Sequence, residues 1–475
     1  FFEKIEKIRR LGKQARDGDT AARAEVTALL SGLKDAELLP VSRAFTLFLH
    51  LANIAEQYHR VRRRRAHQWQ TNSPPQPGSL QELFQRLPAQ GVAADTLREA
   101  VAALDIELVL TAHPTEVSRR TLIKKYDDIA DTLERLDHRD MTPVEREREL
   151  AHLYQHVMSA WHTDEIRQTR PSPIDEAKWG FTAIEQTLWK AVPDFLREFD
   201  AALLSATGKN LEPERAPIRF ASWMGGDRDG NPNVTHAVTR EVLLLARWMA
   251  ADLFWRDIDA LRADLSMENC SAALRQYVGA ESREPYRDLL REVRDRLALT
   301  RAWADVALHD SNADATGIYH ASSELMKPLK LCYESLCECG LKTIADGALL
   351  DILRRVSCFG VALLRLDIRQ DAARHTEALE AITTFLGLGS YQQWTEAERQ
   401  AFLLEELQNP RPLLPEHPAV GAESLLASAD VQEVLATFQM LAKQPSDSLG
   451  AYVISMAESP SEIGRASCRE RVSSP

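Results

Sequence analysis

Val109-Leu110-Thr111-Ala112-His113-Pro114-Thr115-Glu116-Val117-Ser118-Arg119-Arg120 is the stretch on which the fold turns. The apolar run Ile106 to Leu110, with one glutamate inside it, reads as a short buried strand. It ends in a histidine, a proline, three hydroxyls, a carboxylate and two arginines. Where strand–helix units close into a barrel, catalytic residues collect at the C-terminal strand ends. This strand end therefore reads as a place of chemistry.

Three further segments read as buried strands: Ile218–Met224, Val361–Ile368 and Tyr452–Met456. Long, mostly helical excursions separate the four, which implies parallel pairing, because antiparallel neighbours are usually joined by short turns. Val242, Leu245, Ala246, Met249, Leu253, Ile258 and Leu261 recur at helical spacing. Thr142-Pro143-Val144-Glu145 and Ser172-Pro173-Ile174-Asp175 both carry a helix start, a hydroxyl cap followed by proline. Residues 71–79 read as a loop, and Trp161–Arg167 as part of a helix. The expected architecture is a mostly α-helical α/β fold holding the first four strands of an incomplete TIM-type β/α barrel. Residues 1–100 form an N-terminal helical layer, 101–461 the half barrel, and 462–475 a tail without helical or strand periodicity that reads as foreign sequence.

Composition sets outer bounds. The 475 residues are 44% hydrophobic and 27% charged, an ordinary globular balance. A formal charge of −12 argues against a general nucleic-acid binder, and Arg62 to Arg65 read as a solvated helix face. No apolar run approaches the length that spans a bilayer. Six cysteines are too sparse for a disulfide framework, so a reducing cytoplasm is the simplest compartment. The chain opens at Phe1 already in helical pattern, so its natural start is expected to lie further upstream.

The other strand ends also carry chemistry. The second runs into Trp223-Met224-Gly225-Gly226-Asp227-Arg228-Asp229-Gly230-Asn231-Pro232-Asn233, whose glycines permit a turned backbone that could cradle an anion or simply turn the chain. Asp227, Asp229 and Asn231 imitate a calcium loop. Pro232 and Val238 stand where that loop needs glycine and glutamate, so the imitation fails. On the third strand, alternation puts Arg365, Asp367 and Arg369 on one side, as phosphate-binding guanidiniums or as an internal ion pair. Arg374, His375 and Glu377 begin the next helix.

These segments, in this order, resemble phosphoenolpyruvate carboxylase: Leu108–Arg120, Trp161–Arg167, Pro171–Gly180, Ser222–Thr235, Cys358–Gln370 with His375-Thr376-Glu377, and Tyr452–Ser461. The resemblance implies condensation of phosphoenolpyruvate with bicarbonate to oxaloacetate and phosphate, through carboxyphosphate and the pyruvate enolate, feeding the tricarboxylic acid cycle. It implies Mg²⁺ or Mn²⁺, a cytoplasmic homotetramer under allosteric control, and neither nucleic acid nor membrane as partner. By resemblance His113 acts in carboxylation and Arg369 binds phosphate. Arg365, Arg119, Arg120, Gly225, Gly226, Asp227 and Arg228 are the supporting substrate-binding candidates. The family's metal-binding carboxylates and its mobile glycine- and arginine-rich loop have no match here, so no metal ligand is expected and the chain alone is expected to be inactive. The other function class is a non-catalytic binding or assembly protein retaining half of the barrel.

Overall fold

A computed structural model describes residues 1–70, 74–111, 120–138, 140–164, 171–409 and 428–462. Its contacts divide the chain elsewhere than at residue 100. One compact unit joins Phe1–Pro75 to Ser118–Arg170, and the other joins Gln76–Val117 to Pro171–Pro475.

The first unit is helical. Its longest helix, Asp35–Gln68, carries the arginine run, where Arg65 pairs with Glu134 at 2.7 Å and Arg62 with Asp137 at 3.3 Å. Carboxylates of its own unit thus meet Arg62 and Arg65. This helix also corrects a sequence expectation. An 18-residue window within it reaches a mean hydropathy of 1.4, apolar and long enough to cross a membrane by composition alone. Averaging tolerates Arg43 and His50, which break the run for an eye seeking unbroken apolar sequence. The helix Pro143–Trp161 starts where expected, with Thr142 and Glu145 forming a capping box. It stops at Trp161, however. His162 is the C-cap and Thr163 turns back to donate to the Ser159 carbonyl at 2.7 Å, so the helix does not run on through Asp164, and Glu165–Arg167 lie outside the described residues.

The second unit carries the sheet. Four strands, β1 (Ile106–Leu110), β2 (Ile218–Ser222), β3 (Arg365–Asp371) and β4 (Leu449–Ser455), lie in chain order and pair in parallel throughout. Helices fill every crossover, among them His236–Asp264, whose apolar stripe was legible, and Pro173–Ala183, capped by Ser172. Phe220 of β2 stacks on Phe359 with ring centroids 4.9 Å apart, and Trp189 stacks on the same Phe359 at 5.1 Å. This aromatic layer ties β2 to the helices behind it and contributes roughly 1 kcal/mol per ring pair beyond area burial.

The third strand begins later than its apolar run suggests. Val361–Leu364 are buried but form a turn, with Gly360 at φ +59 and Leu363 at φ +68. A β-carbon on Gly360 would stand 2.5 Å from the Ser322 hydroxyl oxygen. Apolar run length reports burial and cannot distinguish a buried turn from a buried strand.

At the sheet edge, β1 exposes Ile106, Leu108 and Val109 by 45%, 47% and 42%. Residues on both faces of this strand are therefore left exposed by the described residues of its own unit.

Candidate active site

The site grows from the C-terminal ends of β2 and β3. The amide of Trp223 bonds the Leu110 carbonyl at 3.1 Å, which levels the ends of β1 and β2. The chain then turns through Gly225, whose φ of +83 suits glycine, and runs alongside β3. Arg369 donates its amide to the Gly226 carbonyl at 3.0 Å, and its carbonyl accepts from the Arg228 amide at 2.9 Å. The close approach requires the second glycine: a β-carbon on Gly226 would lie 1.9 Å from the Asp367 carbonyl oxygen.

The glycine loop is not an open cradle of amides. Those of Gly226 and Asp227 bond the Trp223 carbonyl, that of Met224 the Ser222 hydroxyl, and that of Asp229 the Asp227 carboxylate. The donors left to be placed at this strand end are therefore sought among side chains. Arg369 donates from Nη1 to Asp227 at 3.1 Å and from Nη2 to Asp229, and lies with Cζ 5.4 Å from the Trp223 ring centre. A guanidinium has five N–H donors, so three remain without a partner among the described residues. Two carboxylates and an indole hold the group, and its remaining donors suit a phosphate.

Arg228 has a different position. It is 6% exposed, donating to the Gly226 carbonyl at 3.1 Å and to the Thr239 hydroxyl at 2.6 Å, while Thr239 donates to the Gly225 carbonyl at 2.7 Å. Burial pulls its guanidinium below the ordinary arginine range. It braces the loop from behind. Arg365 stands at the other end of β3, about 13 Å from Arg369 at ~3.3 Å per residue. There it donates to the Leu449 carbonyl at 3.0 Å and lies 3.6 Å from Glu107, which also takes Arg219 at 3.4 Å. The glutamate inside the apolar β1 is thereby explained. Alternation put Arg365 on the same face as Arg369, yet distance along the strand takes it away from the strand-end cluster.

His113 and Arg119 fall outside the described residues, and Arg120 is described only as the backbone start of the helix Arg120–Leu136. One contributor, Trp223, was not singled out from sequence, and Asp367, offered there as an ion-pair partner for the β3 arginines, instead serves that tryptophan, since Arg365 pairs with Glu107 and Arg369 with Asp227 and Asp229. Trp223 underlies Arg369, and buried Asp367 accepts the Trp223 indole N–H at 3.0 Å. The only signal for Trp223 was an aromatic residue just ahead of the glycine pair.

A family model described as phosphoenolpyruvate carboxylase matches residues 1–468, seven residues beyond Ser461. A phosphoenolpyruvate carboxylase of Acinetobacter baylyi is 53% identical over 463 residues, covering 98% of this chain and 52% of the relative. Those of Pseudomonas aeruginosa and Pseudomonas putida are each 55% identical, again covering 98% of this chain and 52% and 51% of the relatives. The chain spans about half the length of the curated relatives it matches. Parallel strands, an arginine presented at a strand end and this continuous similarity agree: the chain belongs to the phosphoenolpyruvate carboxylase family.

Proposed function

We propose that this chain is the phosphate-handling half of an enzyme that condenses phosphoenolpyruvate with bicarbonate to give oxaloacetate and inorganic phosphate. The observation that carries the reading is Arg369, held by Asp227 and Asp229 with three donors still open. Those donors bind the phosphoryl oxygens as the phosphate passes from the enol oxygen to bicarbonate. Trp223 supplies an apolar wall that keeps water from protonating the enolate. His113, three residues beyond the end of β1, serves the carboxyphosphate and carboxylation stage, with Arg119 and Arg120 as supporting charges.

The barrel belongs to the same proposal. Four parallel strands with an uncovered apolar edge at β1 are the first half of an eight-stranded barrel, which β1 closes against a strand from outside this chain. Mg²⁺ or Mn²⁺ supplies charge neutralisation to the family's chemistry. Among the described residues no group of three or more histidine, cysteine, aspartate or glutamate side chains is arranged to hold it. Asp227 and Asp229 are committed to Arg369, and the steps above ask nothing of the ion. Among the described residues five cysteines are free, which fits a reducing cytoplasm.

The test joins residues 1–461 in frame to the C-terminal half of the Pseudomonas aeruginosa relative and follows oxaloacetate by coupling to malate dehydrogenase. The fusion turns over with bicarbonate, Arg369→Ala lowers the rate at least about a hundredfold, and the unfused chain is inactive. A fusion that keeps its rate after Arg369→Ala defeats the assignment.

A further inference from the structure

Asp367 is 4% exposed and stands where the β3–β4 ladder breaks its register. Leu366 pairs with Leu449 and Ile368 with Tyr452, so Asp367 alone faces both Gly450 and Ala451. Such a bulge leaves an amide without its ladder partner and re-aims the side chains around it. Here the Asp367 carboxylate fills the gap. Its Oδ1 accepts the Ala451 amide at 2.7 Å, and its Oδ2 accepts the Trp223 indole N–H at 3.0 Å. The fit is close, since a β-carbon on Gly450 would lie 2.0 Å from Oδ1.

We infer that Asp367 is a positioning residue: through the β4 bulge it fixes the Trp223 indole, and through that indole the aim of Arg369. A chain of contacts runs from the Ala451 amide to the carboxylate, to the indole, and to a guanidinium 5.4 Å from the ring centre. A buried carboxylate is costly unless its oxygens are satisfied. Apolar packing alone could have supported the tryptophan, whereas two N–H donors on one carboxylate also fix its rotation. Asp367 touches no substrate in this account, which rests on the strand-end reading of Arg369.

The experiment measures phosphoenolpyruvate binding to this chain by calorimetry in a double-mutant cycle of Asp367→Asn and Trp223→Phe. Indole N–H resonances are recorded alongside, with Trp223→Phe assigning one of the nine tryptophans. Asparagine keeps the shape but turns an NH₂ toward one of the two donors. Asp367→Asn is expected to weaken binding about tenfold, to move the Trp223 indole signal, and to cost less than about twofold in the Trp223→Phe background. Gly450→Ala, which displaces the carboxylate without removing any polar group, moves the signal in the same way and covers the case in which Asp367→Asn does not fold. Unchanged affinity with an unmoved signal overturns the inference, and so does an equal loss in the Trp223→Phe background. If the unaltered chain and Arg369→Ala bind alike or not at all, the strand-end reading fails instead. The indole signal then still decides whether Asp367 holds Trp223.

Discussion

Asp227 holds Arg369 twice over. The backbone bonds of Arg369 to the Gly226 carbonyl and the Arg228 amide bracket Asp227 as a lone bridge beside β3, and its carboxylate lies 3.1 Å from Nη1. One residue therefore sets the height of the glycine loop and shares with Asp229 and Trp223 in directing the guanidinium. Lysine could keep the charge but could not reach Asp227 and Asp229 together. Arg369→Lys is expected to weaken phosphoenolpyruvate binding about tenfold or more. Arg365→Lys, at the far end of the strand, should change it by less than about twofold. Equal losses in calorimetry would remove the distinction between the two ends of β3.

Thr239 links Arg228 to the loop, accepting from Nη2 at 2.6 Å and donating to the Gly225 carbonyl at 2.7 Å. Valine fills the same volume without the hydroxyl and leaves a buried guanidinium N–H and a carbonyl unsatisfied. Thr239→Val is expected to destabilise the chain by about 2–4 kcal/mol. Thr235→Val, which removes only the N-cap of the helix His236–Asp264, should cost about 1 kcal/mol. Urea midpoints in the reverse order would show that Arg228 does not depend on Thr239.

The loop glycines separate by cause. A β-carbon on Gly226 meets the Asp367 carbonyl at 1.9 Å, and that atom is β3 backbone. Gly230 stands in open space at φ +67, so alanine there meets only conformational strain. Gly226→Ala should cost about 3 kcal/mol or more, since the strand itself must move, and Gly230→Ala about 1 kcal/mol. Thermal melts showing comparable losses would mean that the loop does not depend on contact with β3.

Much of this was legible in the sequence because it is local. The Thr142 and Ser172 caps act within four residues, and β1 and β2 announce themselves as apolar runs closed by polar turns. The displacement of β3 was not legible, because Val361–Leu364 are as buried as any strand. Nor were the duties of the arginines. Arg228, Arg365 and Arg369 look alike in composition, yet the Arg228 side chain is held within eleven residues of itself while Arg365 and Arg369 depend on partners remote in sequence. Asp227 is 142 residues from Arg369, and Trp223 is 144 residues from Asp367. Local pattern places the strands, but which arginine stays open to a ligand is decided by tertiary pairing.

The last described segment offers a pH test. Glu396 opens the helix Glu396–Gln408 and accepts from the Ser461 amide at 2.9 Å and its hydroxyl at 2.7 Å. Hydrogen bonds from Gln400 first, and then from Ser461, hold its carboxyl down from 4.5 to about 2. A depressed carboxyl stabilises the folded contact fully above the unfolded value, and that contribution is lost as pH falls through the folded one. The docking of Ser461 should accordingly be intact at neutral pH and weaken only from pH 4.5 down toward 2. The Ser461 amide resonance is expected to titrate near pH 2, and Ser461→Ala, which removes one of the donors, to raise the Glu396 midpoint toward 4.5. An amide that already titrates at the ordinary glutamate value in the unaltered chain would show that Ser461 is not held by Glu396.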